Sequence, residues 1–114
     1  MIRTTTIVFS LAFAAVAHAH HGWSEYDSTK PLTVSGTIRE SGYEHPHGHI
    51  RLQSPGRDWV VVLAPPSRME RRGLPPADLK VGNKVTVVGY ANRNKPEEMR
   101  AERITVDTKT VELR

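Results

Sequence analysis

The chain has 114 residues, 38% hydrophobic and 25% charged, with 16 Lys+Arg against 12 Asp+Glu and no Cys. That length holds one small domain and no second, and the missing Cys excludes both a disulfide framework and a thiolate metal site. The charges are interspersed, as in "KPEEMRAER", with no single-sign block of the kind that marks a nucleic-acid or membrane tail.

Residues 1–19, "MIRTTTIVFSLAFAAVAHA", combine a lone basic residue (Arg3), an apolar stretch from Ile7 to Val16 and a small-x-small ending at Ala17 and Ala19. That is the layout of a secretory signal peptide. The apolar stretch is shorter than the about 20 residues a membrane span needs, so no anchor is expected after processing. Cleavage after Ala19 makes His20 the new N-terminus of a periplasmic or secreted protein. With Arg3 gone, the mature balance is 15 basic against 12 acidic residues, a net charge of +3.

Residues 20–31 read as a polar arm with two aromatics. From Leu32, "LTVSGTIRESGY" alternates with period 2, the pattern of a half-buried strand, and Gly36 within it suggests a bend or bulge. "YEHPHGH" breaks the pattern as a loop, "HIRLQ" resumes it, and "SPGRD" is a turn. "WVVVLA" is nearly continuous in apolar residues, so it is expected to be covered on both faces, with Trp59 in the core. "PPSRMERRGLPP" predicts one or two helical turns, with Ser67 and Glu70 as a capping box and Gly73 with Pro75 as the stop. Met69 in that helix reads as core filler. Two further strands follow, about Lys84 to Tyr90 and "MRAERITV". The second slips in its alternation near Glu102 and Arg103, which suggests a bulge, and "TVEL" forms a short sixth strand. The reading is an all-β domain over 32–114 with one short helix, a five- to six-stranded OB-like barrel. In such barrels the first and last strand-to-strand loops make the binding surface; here these are "SGYEHPHGH" and "ANRNKPEE".

"AHHGW" at the leader junction, "PHGHI", "LAPPSRMERRGL", "VGNKVTVVGY" and "MRAERITV" together resemble a family of small exported bacterial proteins of unassigned function, over nearly the whole mature chain. The sequence is also similar to periplasmic OB-type domains, in which "V-x-G-x-I" opens the barrel. The resemblance implies export and a small β-barrel, and brings no activity or site. Periplasmic copper chaperones of similar size bind through a His/Met/Met/Trp set whose spacing does not match this chain.

The candidate site comes from the histidines. A terminal His20 offers both its α-amine and its ring, a chelating pair resembling the copper-binding histidine brace, and His21 adds a second imidazole. The amine's ordinary pKa of about 7.7–8 makes deprotonation on binding cheap at neutral pH. Nitrogen ligands without thiolate suit Cu(II) best, with zinc or nickel able to compete. His45, His47 and His49 have a two-residue spacing that sets imidazoles on one side of an extended chain, although Pro46 and Gly48 make the loop irregular, so that two of the three are expected to converge. The arm reaches roughly 36–40 Å when extended, enough to bring His20 to the loop. The bland alternatives are a polar terminus at His20-His21, and loop histidines that cap a turn or pack on Tyr43 or Trp23.

The leading functional expectation is a periplasmic copper-binding module that sequesters or delivers the ion. The alternative is a metal-free OB-type module for a peptide, glycan or envelope protein partner. No nucleophile elbow or comparable spacing is present, so no enzymatic activity is expected. Nucleic-acid binding is disfavoured by export and by the few aromatics left for base stacking.

Overall fold

The computed structural model describes residues 22–114, so the leader read over residues 1–19 and the histidine pair His20-His21 lie outside the described residues. The strands are β1 (Leu32–Gly42), β2 (His49–Ser54), β3 (Arg57–Val62), β4 (Lys84–Ala91), β5 (Glu98–Val106) and β6 (Lys109–Glu112), and helix α1 (Pro66–Arg71) lies between β3 and β4. Among the described residues no helix is long and apolar enough to cross a membrane.

The sheet order is β3-β2-β1-β4-β5-β6, and a parallel pairing of β3 with β5, from Val60↔Glu98 to Val62↔Arg100, closes the first five strands into a barrel. β6 extends β5 beyond the closure. The expected all-β, OB-like barrel with one short helix is therefore what forms.

β1 serves two neighbours: Leu32–Thr37 pairs with β4, and Thr37–Gly42 with β2. A strand shared in this way must bend sharply. Of the bend or bulge expected at Gly36, the change of partner comes next to it at Thr37, while the bulge falls at Arg39, where the register jumps from Ile38↔Leu52 to Glu40↔Arg51. Gly36 answers a different need, since a Cβ there would lie 2.3 Å from the Gln53 carbonyl oxygen. The slip expected near Glu102 is present: Val88↔Arg103 is followed by Gly89↔Ala101, which leaves Glu102 as the extra residue on β5.

Alternation along the strands sends Ile38, Ile50, Leu52, Val61, Val87 and Ile104 inward, all fully buried. Each such side chain contributes about 1.5–3 kcal/mol relative to exposure. In β3 the pattern is alternating and not covered throughout: Trp59 and Val61 are buried, Val60 and Val62 only half-buried. Met69 from α1, with Leu74 and Leu79 after it, joins the same core.

The capping box expected at Ser67 and Glu70 does not form. Pro66 opens the helix and Pro65 is its N-cap, with no side-chain cap bond. A proline at the first helical position is pre-set for the turn, and its missing N–H has no intrahelical partner to lose, so the helix starts at Pro66 and takes Ser67 inside it, past the capping position. The stop is as expected, with Gly73 at φ +85°.

Candidate functional site

The arm docks by backbone first. The Asp27 N–H donates to the Ala91 carbonyl at 2.9 Å, and the Arg93 N–H to the Glu25 carbonyl at 2.9 Å, so the arm runs beside the end of β4 and the loop after it. The Asn92 side chain shapes that loop: its Oδ1 accepts from the N–H groups of Asn94 (2.9 Å) and Lys95 (3.0 Å), while Nδ2 donates to Glu98 Oε2 at 2.9 Å. The same carboxylate oxygen accepts from the Tyr26 hydroxyl at 2.7 Å. Burial, followed by this carboxylate, drives the Tyr26 phenol well above its ordinary pKa, so it stays a donor.

Trp23 completes the docking. Its ring lies 4.5 Å from the Arg100 guanidinium carbon and 4.6 Å from that of Arg114, with Tyr90 edge-on at 6.0 Å. Each cation–π contact contributes about 0.5–2 kcal/mol, more as water is excluded. Arg114 also sits 3.6 Å from Glu102, the bulged residue of β5, whose other oxygen accepts from the Tyr90 hydroxyl at 2.7 Å.

The histidine loop reaches the same region from the other side. Gly48 anchors it against the strand that leads into α1: its N–H donates to the Ala64 carbonyl at 2.9 Å, and its carbonyl accepts from the Leu63 N–H at 2.8 Å. Tyr43 pins the loop's start by donating to the Leu74 carbonyl at 2.6 Å. His47, half-buried between these anchors, lies with Nε2 3.4 Å from Arg100 Nη2. Only the guanidinium can donate in that pair, which assigns the proton of the neutral ring to Nδ1. Burial first, then Arg100 and Arg68, holds the His47 pKa below its ordinary value.

The other two loop histidines go elsewhere. His45 is exposed and precedes the cis peptide to Pro46. His49 begins β2, with its ring against Gly42 and its Nδ1 3.9 Å from Glu44. Among the described residues no group of three or more His, Asp or Glu side chains could hold a metal ion. His45, His47 and His49 thus make no site by themselves, and His20 and His21 lie outside the described residues.

Several side chains that build this region carried no sequence signal. Arg100 alternates with apolar neighbours in "MRAER" and reads as a solvated charge, yet it is only 6% exposed. Burial and the nearby Arg68 and Arg114 lower its pKa. Arg68 donates to the Leu113 carbonyl at 3.0 Å and Arg72 to the Glu112 carbonyl at 2.7 Å, so α1 holds the C-terminal strand beside the same cluster. The double carboxylate role of Glu98 likewise depends on contacts that span the chain.

A family model described as a family of unknown function, DUF6152, matches residues 7–99. The chain belongs to the DUF6152 family. No curated protein sequence matches this member. Among solved structures, a chain in the crystal structure of the TiaS–tRNA(Ile2)–ATP complex is similar to this DUF6152 protein, with 18% identity and a TM-score of 0.52. The match covers 78% of this chain and 20% of that one, so the likeness is one of fold, with a small part of a larger protein.

Proposed function

We propose that this DUF6152 protein is an exported copper-binding module that sequesters or hands on Cu(II), held by the His20 amine and ring, by His21 and by His47. The supporting observation is the placement of Arg100, which touches Trp23 on one side and His47 on the other. Trp23 follows His20 by three residues, so connectivity alone keeps the His20 Cα within about 11 Å of the Trp23 Cα. A terminus at His20 would then lie within reach of this end of the barrel, which supports His47 as the loop ligand in this reading. His47 is held neutral, the form in which imidazole ligates a metal, and in this reading the ion takes the Nε2 lone pair that Arg100 otherwise engages.

The arginines set a condition. At an effective dielectric near 20, a divalent ion is repelled by a few kcal/mol per neighbouring guanidinium. A chelate built on the terminal amine and ring is strong enough to outweigh that repulsion; scattered single imidazoles are not. The reading therefore requires the cut after Ala19.

The test is a Cu(II) titration of the protein beginning at His20, followed by d-d absorbance, with the terminus verified by mass spectrometry. Tight one-to-one binding that is lost in His20→Ala, weakened in His47→Ala and unchanged in a His45→Ala, His49→Ala double variant is expected. Equal binding by a chain carrying one extra N-terminal residue would remove the reading.

A further inference from the structure

Strand β1 runs on past the hairpin that flanks it. Pro55 and Gly56, the latter at φ +89°, turn the chain from β2 into β3, so β2 accompanies β1 only from Gly42 back to Thr37 and Leu32–Gly36 is paired with β4 alone. Ladder parity fixes which groups this leaves open. Ile38 donates its N–H to the Asn83 carbonyl at 2.9 Å and accepts from the Gly82 N–H at 2.8 Å, both on the β4 side. Gly36, Val34 and Leu32 therefore face β4 as well, and Thr33 and Ser35 turn their N–H and C=O groups the other way. Both residues are exposed, and among the described residues no turn or loop backbone bonds to these four groups. The edge is also unguarded, because "LTVSG" holds no charge, no Pro and no bulge, the devices that keep exposed strand edges from pairing. We propose that this edge is a second binding site, independent of the histidines, where an extended acidic segment of a partner protein adds as a strand beside β1.

Charge selects that occupant. A hollow of about 250 Å³ beside the edge is lined by Val34, Arg57 and Trp59, and a larger one of about 450 Å³, reached at Ser35, includes Lys84; no histidine lines either. Arg57 lies 3.8 Å from the Trp59 ring centre and donates to the Pro96 carbonyl, while Arg39 donates to the Gln53 side-chain oxygen at 2.6 Å. None of these partners is charged, and among the described residues no carboxylate makes an ion pair with Arg39, Arg57 or Lys84. Asp107 is the single acid lining the two hollows, and Asp58 alternates to the face of β3 opposite Arg57 and Trp59. Three cations against one carboxylate leave the border of the edge positive.

The pleat sets the order of residues in the segment. Opposed residues of a strand pair share a face, so the residue placed opposite Val34 points inward, toward Val34 and the Trp59 ring, and is apolar. Its neighbours, opposite Thr33 and Ser35, point outward, and acidic residues before and after this core meet Arg57 at one end and Lys84 with Arg39 at the other. The open edge is about 13 Å long, enough for about five residues. Main-chain bonds supply the affinity and charge the choice of partner. A second copy of this chain is disfavoured, because pairing β1 with β1 of another molecule sets Arg57 and Lys84 against identical cations.

The experiment is an NMR titration of the isotope-labelled chain from His20, in EDTA and without copper, with three capped peptides: Asp-Asp-Thr-Val-Thr-Asp-Asp, the same peptide N-methylated throughout its Thr-Val-Thr core, and a version with Lys in place of every Asp. Saturable shifts centred on Thr33 and Ser35, with slowed exchange of both amides, are expected from the first. The N-methylated peptide should not bind and the lysine version should bind at least fivefold more weakly. Arg57→Gln with Lys84→Gln should weaken the acidic peptide about three- to tenfold at low salt. Ser35→Pro removes one edge N–H without touching the β4 ladder and should abolish binding, with unchanged shifts elsewhere reporting that it is folded. The N-methylated arm uses the natural chain and gives the same answer if that variant does not fold. No saturable shift at millimolar peptide, equal binding by the N-methylated or the lysine peptide, binding retained in folded Ser35→Pro, or the same edge shifts on raising the protein concentration alone would overturn the proposal. Chelator is present in every arm, so neither outcome depends on the copper reading.

Discussion

The Tyr26 hydroxyl and the Glu98 carboxylate meet at 2.7 Å across 72 residues of sequence, fastening the arm to the first residue of β5. Tyr26→Phe keeps the buried ring and deletes the bond, while Asn92 continues to donate to Glu98. A hydrogen bond to a charged group is worth about 1.5–3 kcal/mol. The variant is expected to lose about 1.5 kcal/mol in urea unfolding and to exchange the Asp27 and Arg93 amides faster than those of β2. Unaltered exchange at those two amides would mean that Trp23 alone holds the arm.

His47 gives stability a pH dependence with a definite sign. Its folded pKa lies below the unfolded value of about 6.5, so between the two the unfolded chain binds more protons and stability rises with pH. The contribution is fully present above about pH 6.5 and is lost as pH falls through the folded pKa. His47→Gln, which cannot titrate, should shrink the fall in urea midpoint between about pH 7 and pH 5 relative to the wild type. An identical fall in both proteins would show that His47 is not desolvated in solution.

Arg114 is exposed enough to be changed without opening the core, and it brings positive charge to Trp23. In a water-like dielectric a divalent ion and a guanidinium about 8 Å apart repel by about 1 kcal/mol. Arg114→Gln is therefore expected to tighten Cu(II) binding about three- to fivefold at low salt, and the gain should fade at high salt, where the repulsion is screened. Weaker copper binding in this variant would instead mean that the Trp23 stack, which loses one of its two arginines, is what positions the terminus.

The barrel was largely legible because its information is local. Period-2 alternation placed β1 to β5, the Pro and Gly signals bracketed α1, and the broken alternation at Glu102 marked a real bulge. The differences are local too: Ser67 resembles a cap in sequence although Pro66 already opens the helix, and Gly36 resembles a bulge because a close approach to Gln53 leaves the same trace. The site was less legible. Choosing His47 over His45 and His49 depends on Arg100, and Arg100 matters only because the closure of β3 on β5 and the docking of Trp23 bury it, both of them long-range events.

Gly48 links the core to the histidine beside it. An added Cβ would stand 2.5 Å from the terminal methyl of the fully buried Met69 and 3.2 Å from the Gly42 carbonyl oxygen. Overpacking of this kind costs about 1–3 kcal/mol, and the strain would be shared between Met69 and the loop that carries His47. Gly48→Ala is accordingly expected to lower the thermal midpoint and to weaken copper binding together. Met69→Leu shortens the obstructing side chain, so the Gly48→Ala, Met69→Leu pair should be more stable than the sum of the single changes by about 0.5–1 kcal/mol, a coupling expected of residues in contact. Strict additivity in that double-mutant cycle would show that the loop yields and the core does not, and copper affinity would then fall as far in the double variant as in Gly48→Ala alone.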